Sequence, residues 1–234
     1  MLVHANAGFT VMLTHDAVQR VTGRTVEKES DFGLGHDLRV STRGRGSTLL
    51  RSVDVAGSSM ADVPCAVFDL PTTNWEGMLG VGWLAAAQPV VDFGSHRLSF
   101  EAPTIDTAYT IEFALDEPLG RYVAELDVDG EPATFVVSTV AETTLDLGFA
   151  HARGLELTSP TGVEHGPAGD VVPVHRTAHP VSLAHAGGQF VELALTVYDT
   201  YAYRGEERPE GAHAVAGYLG ADVLLAVRAI LDFG

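Results

Sequence analysis

Residues 77–94 and 217–234 align without a gap. Eight positions are identical at one constant offset: Gly77 with Gly217, Leu79 with Leu219, Gly80 with Gly220, Leu84 with Leu224, Ala86 with Ala226, and Asp92-Phe93-Gly94 with Asp232-Phe233-Gly234. An internal repeat at this distance favours two equivalent lobes related by a pseudo-twofold axis, with a shared cleft on that axis. The chain has 234 residues, 46% of them hydrophobic, enough to bury one sizeable core or two small ones.

Local pattern makes the chain mostly β. Runs rich in Val, Leu and Phe recur at 9–13, 48–55, 64–70, 90–93, 111–115, 122–128, 135–137 and 190–198, with a further strand at 96–100. Turn signals such as Asp129-Gly130 and Gly187-Gly188 break them at strand-like intervals. Helical pattern is confined to short stretches: 14–21 behind a Thr14 cap, 149–154 with a Gly154 stop, and the segments opening at Gly82 and Asp222. The polar, proline-containing stretch 101–107 marks a lobe boundary, giving lobes of 1–103 and 104–234.

Charge narrows the partners. Thirty-one acidic residues against 14 Lys and Arg leave a formal charge of −17, which repels phosphate backbones, and no basic run compensates. No nucleic acid is expected. Cys65 is the single cysteine, read as a buried, inert core residue in a reducing compartment. No apolar run approaches a membrane span, and the start lacks the basic region of a signal peptide, so the expectation is a cytoplasmic protein without membrane contact. His175, His179 and His185 fall at even spacing, but Pro180 interrupts them and nothing completes a ligand set; Gly33-Leu-Gly35 lacks a third glycine at dinucleotide spacing. No metal and no cofactor are expected.

The element order, the two Leu-Gly signatures at Leu79 and Leu219 and the two Asp-Phe-Gly segments resemble the retropepsin-like aspartic proteases, in the bacterial form that carries both lobes on one chain. Segments 53–71 and 126–137 support the resemblance, which covers almost the whole chain. It implies a mostly β fold of two pseudo-twofold-related, aspartic-protease-like β-barrel lobes with short helices and a central cleft. It also implies an Asp-Thr/Ser-Gly-Ala motif at the end of one hydrophobic strand per lobe. The two aspartates of such a pair share a proton and activate a water. Here the matching segments are Leu2-Val3-His4-Ala5-Asn6-Ala7-Gly8 and Val136-Val137-Ser138-Thr139-Val140-Ala141-Glu142. His4 and Ser138 stand at the aspartate positions, and Asn6 and Val140 at the glycines. Aspartic proteolysis is therefore not expected. Lobe 1 opens three residues before His4 and lobe 2 closes at Gly234, so the sheet joining the lobes is either trimmed or pairs its open edges in a homodimer.

By the same resemblance His4 and Ser138 meet at the axis, with Asn6, Glu142 and Asp16 available to orient the imidazole. Three uses are open: Ser138 as a nucleophile activated by His4, a self-satisfied polar cluster filling the space of the lost pair, or a group that orients a bound molecule. The hairpin at 36–51 holds four basic residues, Arg43 and Arg45 among them, facing either an anionic ligand or neighbouring acidic surface. An insertion at 197–211 carries Tyr198, Tyr201 and Tyr203, which with Trp75 and Trp83 are candidates for substrate-binding walls. The functional expectation is a non-proteolytic enzyme of bacterial specialised metabolism. It would bind a small, largely apolar substrate in the cleft and promote cyclisation or isomerisation by restricting its conformation. The alternatives are a pseudoprotease that binds an extended peptide, or a structural assembly module.

Overall fold

The computed structural model describes residues 1–35, 37–71, 74–101, 110–186, 188–209 and 214–234. The expected lobe boundary at 103/104, His36, Gly187 of the predicted turn and Gly211 at the end of the insertion lie outside these residues. The fold is mostly β, built from several sheets with short helices between them.

The first half runs β1 (Leu2–Val3), β2 (Val11–Leu13), α1 (His15–Thr22), β3 (Gly46–Val55), β4 (Ser58–Val67), β5 (Gly77–Leu79), α2 (Val81–Ala87), β6 (Val90–Asp92) and β7 (Arg97–Ser99). The second runs β8 (Phe113–Asp116), β9 (Arg121–Val128), β10 (Glu131–Val137), β11 (Thr144–Asp146), α3 (Leu147–Ala152), β12 (Gly162–His165), β13 (Val171–Arg176), β14 (Val181–His185) and β15 (Gly188–Leu193). It ends with β16 (Thr196–Tyr198), α4 (Thr200–Arg204), β17 (Gly217–Leu219), α5 (Ala221–Ala226) and β18 (Ile230–Asp232).

Turn chemistry fixes the two longest hairpins. Ala56-Gly57 (φ +48° and +91°) joins β3 to β4, and Asp129-Gly130 (φ +51° and +86°) joins β9 to β10. Two successive left-handed residues match the twist of paired strands, which is why such turns favour Gly, Asn and Asp. Along β9 every second residue, Tyr122, Ala124, Leu126 and Val128, is buried, the period-2 pattern of a strand with one face on the core. Helix α1 starts where the Thr14 hydroxyl accepts the Ala17 N–H and stops at Gly23 in the left-handed region (φ +70°). The run 190–198 forms two strands instead of one. Between them the Leu195 N–H leaves the ladder and donates to Thr177 Oγ1 at 3.0 Å.

The halves share a topology. β1 lies parallel to β5, β5 antiparallel to β2 and β2 parallel to β4; β10, β17, β11 and β16 repeat that order and those directions. The first set is completed by β3 in a five-stranded sheet. The second sits inside a ten-stranded sheet extended by β13 and β12 on one side and by β9, β14 and β15 on the other, with β8 pairing β9. These sheets are open, and no closed barrel occurs among the described residues. β6 lies between β18 and β7 in a third sheet that joins the halves. There the Phe93 N–H donates to the Ala229 carbonyl (2.9 Å) and the Phe233 N–H to the Pro89 carbonyl (3.2 Å), so the two aligned segments bind each other reciprocally.

A single apolar cluster passes through both halves, from Val11, Trp83 and Leu84 to Phe135, Leu145 and Leu183. Cys65 belongs to it, and burial pushes its thiol up to about 11, well out of the reactive range. Among the described residues no helix is long and apolar enough to cross a membrane.

Candidate functional site

Matching strands deliver matching backbone. Val3 pairs with Leu79 and Val137 with Leu219. One residue later the His4 N–H donates to the Leu79 carbonyl and the Ser138 N–H to the Leu219 carbonyl, both at 2.8 Å. His4 and Ser138 therefore occupy equivalent places, each at the mouth of a loop covered by a glycine, Gly80 or Gly220. Thr139 ties the loops together: its hydroxyl accepts the Ala5 N–H (3.1 Å) and donates to the Val3 carbonyl (2.5 Å). Ala5 has no hydroxyl to return the contact. Thr139→Val strands two part-buried backbone groups and is expected to cost about 1 kcal/mol in urea unfolding; an unchanged midpoint would mean that this bridge does not stabilise the fold.

The side chains then diverge. Ser138 is fully buried and its Oγ accepts from the N–H groups of Ala141 (3.0 Å) and Val140 (3.4 Å), capping its own turn. His4 turns into a cavity, and its Nδ1 is shut off from solvent without a partner, as is Oδ1 of Asn6. No hydrogen bond joins His4 to Ser138 among the described residues. Burial, and then the positive charge of Arg121, lower the His4 pKa to about 4, so the imidazole is neutral at physiological pH.

The cavity holds about 610 Å³ and draws its walls from both halves. One wall is apolar: Phe9, Phe32, Leu34, Phe68, Leu70 and Met78. The facing wall is polar: Arg121, Tyr203, Arg204, Glu206 and Tyr218, with His165 from the β12–β13 hairpin. Two hairpins roof the space. The 30–45 hairpin, held by bridges Ser30–Arg45 and Leu34–Val40, meets the β12–β13 hairpin where the Gly33 N–H donates to the Pro167 carbonyl at 2.9 Å.

In the polar wall Glu206 is clamped from two sides, by Arg121 Nη2 (2.6 Å) and Arg204 Nε (2.7 Å). Burial alone pushes the Glu206 carboxyl up, but the hydrogen bonds and charges of the two arginines outweigh it and leave the pKa lowered. Arg204 Nη1 also donates to the Tyr218 hydroxyl, while Arg204 Nη2 is buried without a partner. Tyr203 faces the cavity with a phenol pushed up, first by burial and then by Glu164.

Of the residues singled out from sequence, His4, Asn6, Arg45 and Tyr203 line the cavity. The others do not. Glu142 is exposed on its loop, so it orients nothing at His4. Arg43 is held outside by Asp16 (2.6 Å) and Asp69 (2.7 Å). Trp83 is fully buried and packs edge-on against Phe100, and Trp75 packs beside Met12 and Phe68. Tyr198 packs at a tilt against Tyr203, ring centroids 5.5 Å apart, from within its strand. Tyr201 is a buried strut whose hydroxyl accepts the Val215 N–H (2.9 Å), with Arg204 and Arg208 over its ring. Sequence reasoning missed Arg121, Arg204, Glu206 and Tyr218. The one available signal was Arg204-Gly-Glu206 inside the tyrosine-rich insertion.

No family model matches the chain, and no curated protein does. Among solved structures, a retroviral enzyme, the EIAV protease complexed with the inhibitor HBY-793, is similar at 19% identity over 46% of this chain and 88% of that one, with a TM-score of 0.32.

Proposed function

We propose that this chain is a non-proteolytic enzyme on a tandem retropepsin-like scaffold that encloses a small molecule in the cavity between its halves. The carrying observation is that of four buried polar side-chain atoms without a protein partner among the described residues, three, His4 Nδ1, Asn6 Oδ1 and Arg204 Nη2, belong to residues that line that cavity, while the fourth, Trp83 Nε1, lies in the core. Orphaned buried polar groups cost free energy unless something bonds them, and clustering in one cavity points to a ligand that does. The scaffold reading is supported by the matched strand order and the paired His4 and Ser138 backbone bonds. With His4 and Ser138 at those positions there is no carboxylate pair to share a proton, which argues against aspartic proteolysis.

The chemistry proposed is cyclisation or isomerisation by conformational restriction. A lidded cavity of this size falls within the usual small-molecule range, and holding one reactive conformer removes several kcal/mol of barrier without a covalent step. The neutral His4 and Asn6 offer hydrogen bonds to fix the substrate's orientation.

Met78 lines the cavity, so its ¹³C-labelled methyl group reports occupancy directly. Medium-chain lactones, ketones and esters are expected to shift the Met78 resonance and to leave exposed Met1 unmoved, while casein stays uncleaved. Silence of Met78 across such a panel at millimolar concentration, or cleavage of casein, overturns the proposal.

A further inference from the structure

We infer that the polar wall is an oxyanion subsite, and that the molecule enclosed is an amphipathic acid: a carboxylate or enolate head at Arg204, Arg121 and Tyr218, with an apolar body against Phe9, Phe32 and Met78. The inference rests on the cavity being a ligand site and adds the class of ligand.

Counting donors and charges leads there. Both Glu206 oxygens are already engaged, one by Arg121 and one by Arg204 Nε. Arg204 has then used Nε and Nη1, and Nη2 remains as a buried cationic donor with nothing to bind. Tyr218 accepts from Arg204 Nη1, which leaves its own O–H proton free to donate. Two guanidiniums facing one carboxylate leave a positive excess. Arg45 adds another charge, stacked over Phe32 at 5.4 Å. The remaining acids on the lining are Asp69, whose two oxygens are taken by Arg43 and Ser41, and Glu164, exposed on the roof hairpin. Over the whole lining three guanidiniums, Arg45, Arg121 and Arg204, meet three carboxylates, Asp69, Glu164 and Glu206, so the positive excess is confined to the corner where Arg121 and Arg204 share Glu206.

A charge-assisted bond from a shielded guanidinium is stronger than a neutral one. A neutral carbonyl accepts only an ordinary bond from Arg204 Nη2, whereas an oxyanion accepts a charge-assisted one and balances the local excess charge. The opposite wall is mainly apolar, with Arg45 lying over Phe32 and Asp69 held by Arg43 and Ser41, so the other end of the ligand is hydrocarbon. Selection between an acid and its ester is therefore made at Arg204.

Octanoate and methyl octanoate test this with matched bodies and different heads, read by titration calorimetry and by the Met78 methyl shift. Octanoate is expected to bind roughly tenfold tighter or more at low salt, with the advantage shrinking as ionic strength rises. Arg204→Met should abolish the advantage and leave methyl octanoate within about twofold of wild type, and Arg204→Lys should recover only part of it. Should Arg204→Met fail to fold, Arg121→Met, which removes the second charge, decides by the same comparison. Equal binding of acid and ester, or an advantage that survives both Arg204→Met and Arg121→Met, overturns the oxyanion subsite while leaving the cavity as a ligand site. If neither compound moves Met78, the ligand site fails as well.

Discussion

Gly220→Ala is expected to destabilise the protein by about 3 kcal/mol, the upper end of what overpacking costs when neighbours cannot give way. The reason is contact, since Gly220 has an ordinary φ of −97°. A Cβ there runs into the Thr143 N and the Glu142 carbonyl carbon, and lies 2.5 Å from the Ala141 carbonyl oxygen. All three are backbone atoms of the loop that begins at Ser138. Gly80, its counterpart, would drive a Cβ into the Phe9 carbonyl and within 2.7 Å of the Ala7 carbonyl, on the floor of the cavity. The Gly-to-Ala change should therefore lower the urea midpoint at either position, and at Gly80 it should also displace the Met78 resonance. Gly162→Ala is the control: nothing lies within 4 Å of its added methyl, and stability should change by about 0.5 kcal/mol or less. If Gly220→Ala and Gly162→Ala unfold alike, close approach is not what these repeated glycines serve.

Acidification from pH 7.5 to pH 5 is expected to cost about 2 kcal/mol through His4 alone. The sign follows from the folded pKa, lowered from 6.5 to about 4 by burial and then by Arg121. Between these values the unfolded chain binds a proton at this site and the folded one does not, so stability falls as the pH drops from 6.5 towards 4. Below 4 the loss is complete. The chain has nine other histidines, so the informative quantity is the difference between wild type and His4→Gln. The wild type should lose more stability on acidification than the variant, by the stated amount, in urea unfolding at the two pH values. Parallel curves would mean that His4 is not shielded as described. A bound anion that screens Arg121 should ease protonation of His4, which links this measurement to octanoate binding.

Much of the scaffold was legible because it is set by local chemistry. The Asp129-Gly130 turn, the alternation along β9, the Thr14 cap and the repeated Gly80 and Gly220 act within a few residues of themselves. The short strands β1, β5 and β17 were harder to see, because segments of two or three residues carry no measurable period and exist through their partners. Even spacing did not make one strand of His175 and His185: they fall on β13 and β14, with Pro180 between.

The cavity lining was only partly legible, and pairs of near neighbours show why. Arg43 and Arg45 flank Gly44, whose left-handed backbone (φ +59°) turns one guanidinium outward to Asp16 and Asp69 and the other over Phe32. Tyr201 and Tyr203 sit two residues apart on α4, about 200° around the helix, so one enters the core and the other meets the cavity. The sequence by itself determined a mostly β framework and the ungapped match of 77–94 with 217–234, since both are read from order along the chain. Only the tertiary structure decided that Ser138 caps its own turn while His4 stays unpartnered, and that Arg121 from β9 meets Arg204 and Glu206 from the distant insertion. Those choices depend on which groups lie opposite one another across the cavity, and linear spacing carries no record of that.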